Sequence, residues 1–496
     1  MMFDKSKILN DKPTECVVRW LFFLLVALCF VSIFSYSTSP FYSGIGDNPD
    51  SVIFQLIGKY WSEGYIPYKY LWDLKGPYIF FVNALGYAMT GSRTGVYLIQ
   101  VVSLTITHYF TYQTIILSVS RRYAYILTVL SLLPLSYIYE GGNLTEEYLL
   151  PFLSLSFYFI IRWLSKYENT DHVCHSPAIS VAYGLTFALC LFSRLTNALS
   201  LSAAIAVISL LLVSKKQYAN FLINILAFFL GFAAVALPFV IYFWHNDALS
   251  DMLKATLVYP YQYASNASQN IHDVGIHHFF LSYINSIALL LMVVIIIFIE
   301  KTPRTRTCIY LFSSLFPLIW FCQGNGYGHY GMTVFPLYAL IVIELSLRRY
   351  KKALLLFCIV ISIGFCSKVR YMSVIRKWQN PNVTDCHQFL HAHPEVDYSS
   401  FVAYNCDPHV YFDMNVRPAS SFFCLQDFVV SRIPDLKEEL IQSYTTNHVR
   451  WILLSFAQMP LDQVIIRDML NRDYELVTVE EDSKLILFCK KDYFSR

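Results

Sequence analysis

Four of the charged side chains in a short stretch near the N-terminus of the chain are candidates for chemistry: Asp47, Asp50, Asp73 and Lys75. Carboxylates can hold a divalent cation such as Mg²⁺ or Mn²⁺ through their oxygens, and a carboxylate can also take a proton from an acceptor hydroxyl. A lysine beside them can pair with a phosphate. These residue types allow cation binding, proton removal or phosphate binding, and they leave open whether Asp47 and Asp50 bind a metal.

A structural role also explains part of this pattern. Asp50 is placed to cap a helix that begins at Ser51, and Asp47-Asn48-Pro49 is typical of a turn. Large apolar side chains recur at helical spacing over 51–63: Ile53, Leu56, Ile57, Tyr60 and Trp61. The pattern predicts a helix that lies on the bilayer surface, with its Tyr and Trp at the interface. Capping and catalysis by Asp50 are compatible, so both stay open.

The elements that carry these residues are those of a membrane protein. Of the 496 residues, 56% are hydrophobic and 14% are charged, whereas a soluble domain carries about 25% charged residues. The net charge of +3 gives no indication of a nucleic-acid partner. Crossings need about 20 apolar residues, fewer inside a bundle, and about eleven runs qualify: 18–38, 95–119, 122–138, 147–164, 178–193, 197–213, 219–244, 278–299, 307–321, 333–346 and 353–366.

Basic patches set the orientation of these crossings. The patches at 215–216, 301–306 and 348–352 should be cytoplasmic, which requires a cytoplasmic N-terminus and a stretch 77–91 that does not cross. We interpret 77–91 as a juxtamembrane or re-entrant helix, since it is short and follows Gly76. Several loops then share the outer face with the tail from about 367: 39–94, 139–146, 194–196, 245–277 and 322–332.

The tail alternates short β-rich runs with helical runs, which predicts a small α/β domain. The predicted fold is therefore an all-α polytopic transmembrane bundle over 1–366, with juxtamembrane helices in the first outer loop, followed by an extracytoplasmic α/β domain over 367–496. Four cysteines lie in this tail: Cys386, Cys406, Cys424 and Cys489. Outside the cytoplasm they would form one or two disulfides, and the sequence leaves their pairing open.

Three of the later outer loops carry further candidates. Glu146 and Glu147 open the run 147–164, where a helix N-terminus also favours negative charge. Arg194 lies at a short turn, and because a bare Arg is costly in hydrocarbon it either extends to the interface or binds an anion. His329 and Tyr330 lie in a Gly-rich loop, where His either makes a local hydrogen bond or donates to a phosphate, and Tyr can stack on a sugar.

The first loop resembles a known motif. Asp50 to Gly58, Pro67-Tyr68 and Asp73 to Pro77 are similar to the first-loop signature of the GT-C glycosyltransferases, in the branch of the protein mannosyltransferases and aminoarabinose transferases. Ser51 stands where that branch has the Glu of an Asp-Glu pair, and Gly76 stands in place of a Pro. The first departure leaves open whether Asp47 supplies the second carboxylate.

Three later segments resemble the same family in order and spacing: Glu146-Glu147, Ser193 to Asn197, and Gly326 to Tyr330 followed by Phe335-Pro336. The resemblance covers roughly 18–366 in layout, and the tail matches no pattern of the family.

The resemblance implies an inverting glycosyltransferase of a bacterial inner membrane, with a polyprenyl-phosphate sugar as donor and a glycan, lipid or protein as acceptor. Asp50 and Asp47 would be catalytic, with Lys75, Arg194 and His329 on the donor phosphate. The substrate-binding residues would be Asp73, Glu146, Glu147 and Tyr330. The alternatives are a transporter or lipid flippase of envelope glycan assembly, for which repeated halves and mid-membrane charge would be expected, and a non-catalytic membrane scaffold.

Overall fold

The computed structural model describes residues 13–42, 48–170, 173–266, 290–291, 293–294, 304–321, 327–347, 362–371, 381–424, 427–446, 449–457 and 460–491. Asp47 lies outside the described residues, as do most of the predicted crossings 278–299 and 353–366.

The chain forms two compact units, each built from separate stretches of sequence. The first unit consists of Met1–Phe41, Val96–Ile241 and Gln269–Ile375. The second unit consists of Tyr42–Gly95, Tyr242–Ser268 and Arg376–Arg496. The first outer loop thus groups with the C-terminal residues. The predicted division at residue 366 stays a prediction, because compactness does not locate a membrane surface.

The helices from the N-terminus to residue 371 follow the predicted apolar runs. Their bounds are Pro13–Phe34, Pro49–Ser62, Pro77–Thr90, Arg93–Ile115, Arg121–Leu132, Leu135–Ile138, Leu150–Thr170, Pro177–Leu191, Leu199–Ser214, Tyr218–His245, Leu249–Leu253, Tyr259–Asn266, Arg304–Phe321, Pro336–Leu347 and 362–371. A π-helical turn spans Lys254–Val258. Several of these helices begin at a proline, whose missing N–H costs nothing in a first turn.

Four helical stretches in the described part of the chain are long and apolar enough to cross a membrane. They are Pro13–Phe34, Glu147–Thr170, Leu195–Ser214 and Tyr218–His245. Pro177–Leu191 is a shorter apolar helix. The chain is therefore a multi-pass membrane protein, and the count of about eleven crossings and the cytoplasmic N-terminus stay predictions.

Two helices of the first unit are in backbone contact. A Cβ placed on Gly184 would lie 1.8 Å from the carbonyl oxygen of Phe228, and one on Gly231 would lie 1.9 Å from that of Val181. Close approach at small residues is how helices pack in lipid, where the hydrophobic effect does not drive their association. The contact fixes the helix Pro177–Leu191, which leads directly into Arg194.

In the second unit, the helix predicted over 51–63 spans Pro49–Ser62 and packs against Pro77–Thr90. Leu56, Ile57 and Tyr60 are buried within the protein. The expectation that these side chains lie on lipid is therefore wrong, because the helix Pro77–Thr90 and the rest of the unit supply enough apolar surface to cover them.

The C-terminal part of the second unit contains a mixed sheet in the order β1-β2-β4-β3. The strands are β1 Phe401–Tyr404, β2 Trp451–Ser455, β3 Tyr474–Glu480 and β4 Leu485–Lys490. β1 pairs parallel with β2, and β4 pairs antiparallel with both β2 and β3. The helices are Pro381–Ala392, His409–Asp413, Asp427–Val430, Pro434–Thr446 and Arg467–Asp473. The predicted alternation of strands and helices is confirmed, and the extracytoplasmic location stays a prediction.

Candidate functional site

Four predicted site residues of the first unit lie in one cluster. The Arg194 guanidinium carbon lies 3.7 Å from the centre of the Tyr330 ring, and an Arg194 nitrogen lies 4.0 Å from Glu146 Oε1. The His329 and Tyr330 rings are 4.7 Å apart. Side chains from three separate predicted outer loops are thus brought together.

Short 3₁₀ segments position these side chains at the ends of longer helices. Glu147–Leu149 runs into the helix Leu150–Thr170, and Leu195–Ala198 runs into Leu199–Ser214. His329 and Tyr330 belong to a third such segment, Gly328–Val334. Arg194 has an extended backbone just before its segment. The cluster therefore rests on helix ends and not on long loops, which favours a fixed geometry.

Glu146 is a buried carboxylate with incomplete hydrogen bonding. The Thr145 hydroxyl donates to its Oε2 at 2.7 Å. Its Oε1 is buried and accepts no hydrogen bond from the part of the chain that the structure describes. A buried acceptor without a donor costs about 1–3 kcal/mol. Glu146 is therefore placed to accept a hydrogen bond from a substrate group, with the Arg194 guanidinium beside it.

Glu147 is buried as well, but its carboxylate is satisfied by the protein. Oε2 accepts from the Gln100 side chain at 3.0 Å and from the Asn143 backbone at 2.8 Å. The Tyr139 hydroxyl donates to Oε1. The predicted substrate-binding role of Glu147 is untested, and its contacts indicate that this carboxylate holds the loop 139–146 in place.

Glu140 contacts His329, although it belongs to none of the motifs in the sequence. Its carboxylate accepts from the His329 backbone at 3.1 Å and lies 2.6 Å from His329 Nδ1. The Tyr327 ring stacks on the same imidazole, with 5.6 Å between ring centres. Glu140 thereby fixes the orientation of His329. The sequence signal for this role is an acidic residue directly before Gly141 in a predicted outer loop.

The backbone around Glu140 has an unusual conformation that glycine makes possible. Residues 140–143 all have positive φ, at 41°, 88°, 75° and 60°. A Cβ on Gly141 would lie 2.4 Å from the Tyr36 ring, and one on Gly142 would lie 2.4 Å from the Ser35 hydroxyl oxygen. Only glycine accommodates both the backbone angle and the lack of space. The conformation of residues 140–143 therefore directs the Glu140 carboxylate towards His329.

Lys368 is a second basic residue of the first unit near these groups, and it was also missed. Burial lowers the pKa of its ammonium, while the nearby Glu140 carboxylate opposes the shift. Its position follows the last predicted crossing, where the sequence showed no motif that would distinguish it from other basic residues.

In the second unit, Asp50 lies in the first turn of the helix Pro49–Ser62 and is half-buried. Asn48, and not Asp50, caps this helix, since its Oδ1 accepts from the Ser51 backbone at 3.2 Å. The alternative that Asp50 serves as the cap is therefore wrong. Within the described residues, Asp50 makes no hydrogen bond or ion pair, so its carboxylate is available for chemistry.

Asp50 and Lys75 are both close enough to Asp73 for their charges to act on its carboxyl group. Burial raises the pKa of the Asp73 carboxyl, Lys75 counteracts this, and Asp50 adds to it. Asp73 Oδ2 is buried without a hydrogen-bond partner among the described residues. The Lys75 ammonium lies 5.8 Å from the centre of the Phe54 ring. The structure thus brings two of the candidate charged residues of the first loop, Asp50 and Lys75, close to a third, Asp73.

Asp47 and Asp50 are the residues that the sequence predicts as metal ligands. Across the described ranges, no three His, Cys, Asp or Glu side chains are grouped so as to hold a metal ion. Asp50 and Asp73 offer only two carboxylates, and Asp47 lies outside the described residues. Because Mg²⁺ can be held by one or two carboxylates together with water and substrate phosphates, the metal-binding role of Asp47 and Asp50 stays a prediction.

Comparison with solved structures identifies the fold. ArnT from Cupriavidus metallidurans bound to undecaprenyl phosphate is similar over 96% of this chain and 98% of its own, with a TM-score of 0.58 and 13% identity. The oligosaccharyltransferase AglB from Archaeoglobus fulgidus, in complex with an inhibitory peptide and a dolichol-phosphate, has a TM-score of 0.47 and 11% identity over 97% and 75%. The similarity to ArnT shows that the chain has a GT-C-like fold.

Comparison of the sequence with curated proteins finds no significant match. A family profile, in contrast, matches residues 11–355, which is well over half of the chain. The chain belongs to the family described as "Putative competence-induced protein Ccs4 N-terminal domain".

Proposed function

We propose that the chain is an inverting membrane glycosyltransferase that moves a sugar from a polyprenyl-phosphate donor to an acceptor on the outer face of a bacterial inner membrane. The observation that carries this proposal is the cluster of Glu146, Arg194, His329 and Tyr330 in a chain with a GT-C-like fold. The acceptor is a glycan, a lipid or a protein. The undecaprenyl phosphate bound to ArnT is the model for the donor lipid.

Arg194 binds the donor phosphate in this proposal, and Lys75 stays the phosphate ligand that the sequence predicts in the first outer loop. The Arg194 guanidinium rests on the Tyr330 ring, which holds its plane while its edge can form paired hydrogen bonds with phosphate oxygens. Positive charge at the phosphate stabilises the negative charge that develops as the sugar–phosphate bond breaks. His329, oriented by Glu140, donates a further hydrogen bond to the leaving phosphate.

Glu146 and Tyr330 hold the sugar. The unsatisfied Oε1 of Glu146 accepts a hydrogen bond from a sugar hydroxyl or ammonium group. A sugar face packs on the part of the Tyr330 ring that Arg194 leaves uncovered. Asp73, whose pKa is raised by burial, stays neutral at higher pH than an ordinary aspartate and can donate a hydrogen bond to the substrate.

Asp50 is the general base, with Asp47 as the second carboxylate of the same loop. The acceptor hydroxyl gives its proton to the Asp50 carboxylate while its oxygen bonds to the anomeric carbon. The bond from that carbon to the phosphate oxygen breaks on the opposite face, so the configuration inverts. The polyprenyl phosphate leaves with the bonding electrons. A divalent cation held by Asp47 and Asp50 would add positive charge at the leaving phosphate.

The test is the variant Asp50→Asn, assayed as purified full-length protein with polyprenyl-phosphate sugars and membrane extracts as acceptor. Mass spectrometry identifies the glycosylated product. We expect transfer to be abolished while membrane insertion is retained, because the amide cannot take the proton. The matched control is Glu63→Gln, an exposed carboxyl at the other end of the same helix, which should transfer normally. Full activity of Asp50→Asn would remove Asp50 from the mechanism.

A further inference from the structure

The short turn that carries Arg194 also holds three polar side chains that the proposed mechanism does not use. Ser193, Asn197 and Ser200 are buried, with 1%, 3% and 1% of their surface exposed. In contrast, 52% of the Leu195 surface is exposed. The turn therefore directs its polar side chains into the protein, although polar residues of this kind are mostly exposed in folded proteins.

These three polar side chains also lack hydrogen bonds within the protein. In the part of the chain that the structure describes, no group pairs with the Ser193 hydroxyl, the Asn197 amide nitrogen or the Ser200 hydroxyl. Buried polar groups in native proteins nearly always have a hydrogen-bond partner. Three such groups within the stretch 193–200 therefore indicate that a polar molecule occupies the space next to this turn.

The turn lies against the cluster that contains Tyr330. An Arg194 nitrogen is 4.0 Å from Glu146 Oε1, and this buried oxygen accepts no hydrogen bond from the described residues either. The 3₁₀ segment Leu195–Ala198 contacts the segment Gly328–Val334, which carries Tyr330. The unpaired groups of the turn therefore belong to the same region of the first unit as the Arg194 guanidinium.

The hydrogen-bonding capacity of these groups indicates what they bind. The Asn197 nitrogen donates, a carboxylate oxygen such as Glu146 Oε1 accepts, and the two serine hydroxyls do both. An isoprenoid chain forms no hydrogen bonds, and a phosphate group would be repelled by the Glu146 carboxylate. A sugar hydroxyl both donates and accepts, so neighbouring hydroxyls of one sugar ring can pair with the whole set.

We propose that Ser193, Asn197 and Ser200, together with Glu146, form a subsite for the hydroxyl groups of the donor sugar. This inference rests on the proposed function and narrows its substrate class to a sugar with at least two free neighbouring hydroxyls. The donor sugar binds here, and not the acceptor, because the donor sugar is bonded to the phosphate that Arg194 holds. A sugar that lacks one of these hydroxyls leaves buried protein groups unpaired, so the subsite discriminates against deoxy sugars.

The test is a binding measurement on the purified full-length protein, which needs neither an acceptor nor transfer. The probes are a polyprenyl-phosphate hexose, the corresponding deoxyhexoses that each lack one hydroxyl, and polyprenyl phosphate without a sugar. We expect the wild type to bind the hexose about tenfold more tightly than polyprenyl phosphate and than at least one of the deoxyhexoses.

Variants connect this preference to the turn. Ser200→Ala and Asn197→Leu should each lower the preference for the hexose about tenfold and leave the affinity for polyprenyl phosphate unchanged. The matched control is Ser202→Ala, because Ser202 lies on the same helix and is partly exposed; it should bind every probe like the wild type.

Thermal unfolding without ligand separates a binding role of Ser200 from a structural one. Ser200→Ala should be at least as stable as the wild type, because it removes a buried hydroxyl that has no partner among the described residues. A hydroxyl that held the fold together would instead lower the unfolding temperature when removed.

The outcomes distinguish the subsite from the proposed function. Equal affinities for all probes, no binding of any probe, or an unchanged hexose preference in Ser200→Ala would overturn the subsite. Sugar transfer is measured separately on the same preparation. A protein that binds the probes as expected but transfers no sugar contradicts only the proposed function, and one that transfers sugar without the hexose preference contradicts only the subsite.

Discussion

Glu146 and Glu147 are neighbours of the same residue type, and the structure predicts opposite consequences for their removal. Glu147→Ala removes the carboxylate that accepts from three buried donors: the Tyr139 hydroxyl, the Gln100 amide and the Asn143 backbone N–H. Each buried donor that loses its partner costs about 1–3 kcal/mol. If each of the three donors costs an amount in the lower half of that range, the free energy of unfolding should fall by about 3–6 kcal/mol.

Glu146→Ala removes one hydrogen bond from Thr145 and a distant ion pair of 4.0 Å with Arg194. It also removes a buried carboxylate oxygen that has no hydrogen bond, which favours the folded state. The lost contacts and the removal of this oxygen therefore have opposite effects on stability. We expect a stability change of about 1 kcal/mol or less. The rate of sugar transfer should instead fall about 10- to 100-fold, because a hydrogen bond to a charged acceptor contributes about 1.5–3 kcal/mol.

Two measurements on purified protein in detergent decide between these outcomes. Tryptophan fluorescence during thermal unfolding reports stability, and transfer at a temperature well below either transition reports activity per folded molecule. The reasoning is refuted if both variants lose similar stability, or if Glu146→Ala transfers sugar at the wild-type rate.

The remaining predictions concern Tyr330 and Asp73. Tyr330→Leu should raise the KM for the donor about fivefold, because the ring contact with Arg194 is worth about 1 kcal/mol. Tyr330→Phe keeps the ring and should have a KM near that of the wild type. Steady-state kinetics would contradict this prediction if the two variants had the same KM. Burial raises the pKa of Asp73 in the folded protein above its value in the unfolded chain. The neutral carboxyl therefore contributes stability that is fully present below about pH 4 and is lost as pH rises through the folded pKa. The unfolding temperature of the wild type should fall as pH rises through this range, and that of Asp73→Asn should fall less steeply. Equal slopes for the two proteins would exclude Asp73 as the source of this pH dependence.

The positions of the elements could be predicted because the local signals are strong. The helix Pro434–Thr446 and all four strands agree with the patterns of apolar residues, and the long helices follow the apolar runs. Apolar periodicity predicts which side of the helix Pro49–Ser62 is covered, but it does not predict whether lipid or protein covers it.

Only those residues of the candidate site that belong to recognisable motifs could be predicted. Arg194 and Tyr330 were recognised from short segments, and their mutual contact agrees with a common membrane face. Glu140 and Lys368 were missed, because their roles depend on contacts between residues far apart in sequence. The difference between Glu146 and Glu147 is also invisible in sequence, since it arises from donors on other elements.

The four consecutive residues with positive φ at 140–143 have a consequence for the variation that this chain can tolerate. Saturation mutagenesis should find Gly141 and Gly142 nearly invariant although neither carries a reactive group, because any side chain would collide with Tyr36 or Ser35. Deleting a single residue there would turn Glu140 away from His329. In an evolutionary record of functional relatives, the length of this loop should therefore vary less than its composition.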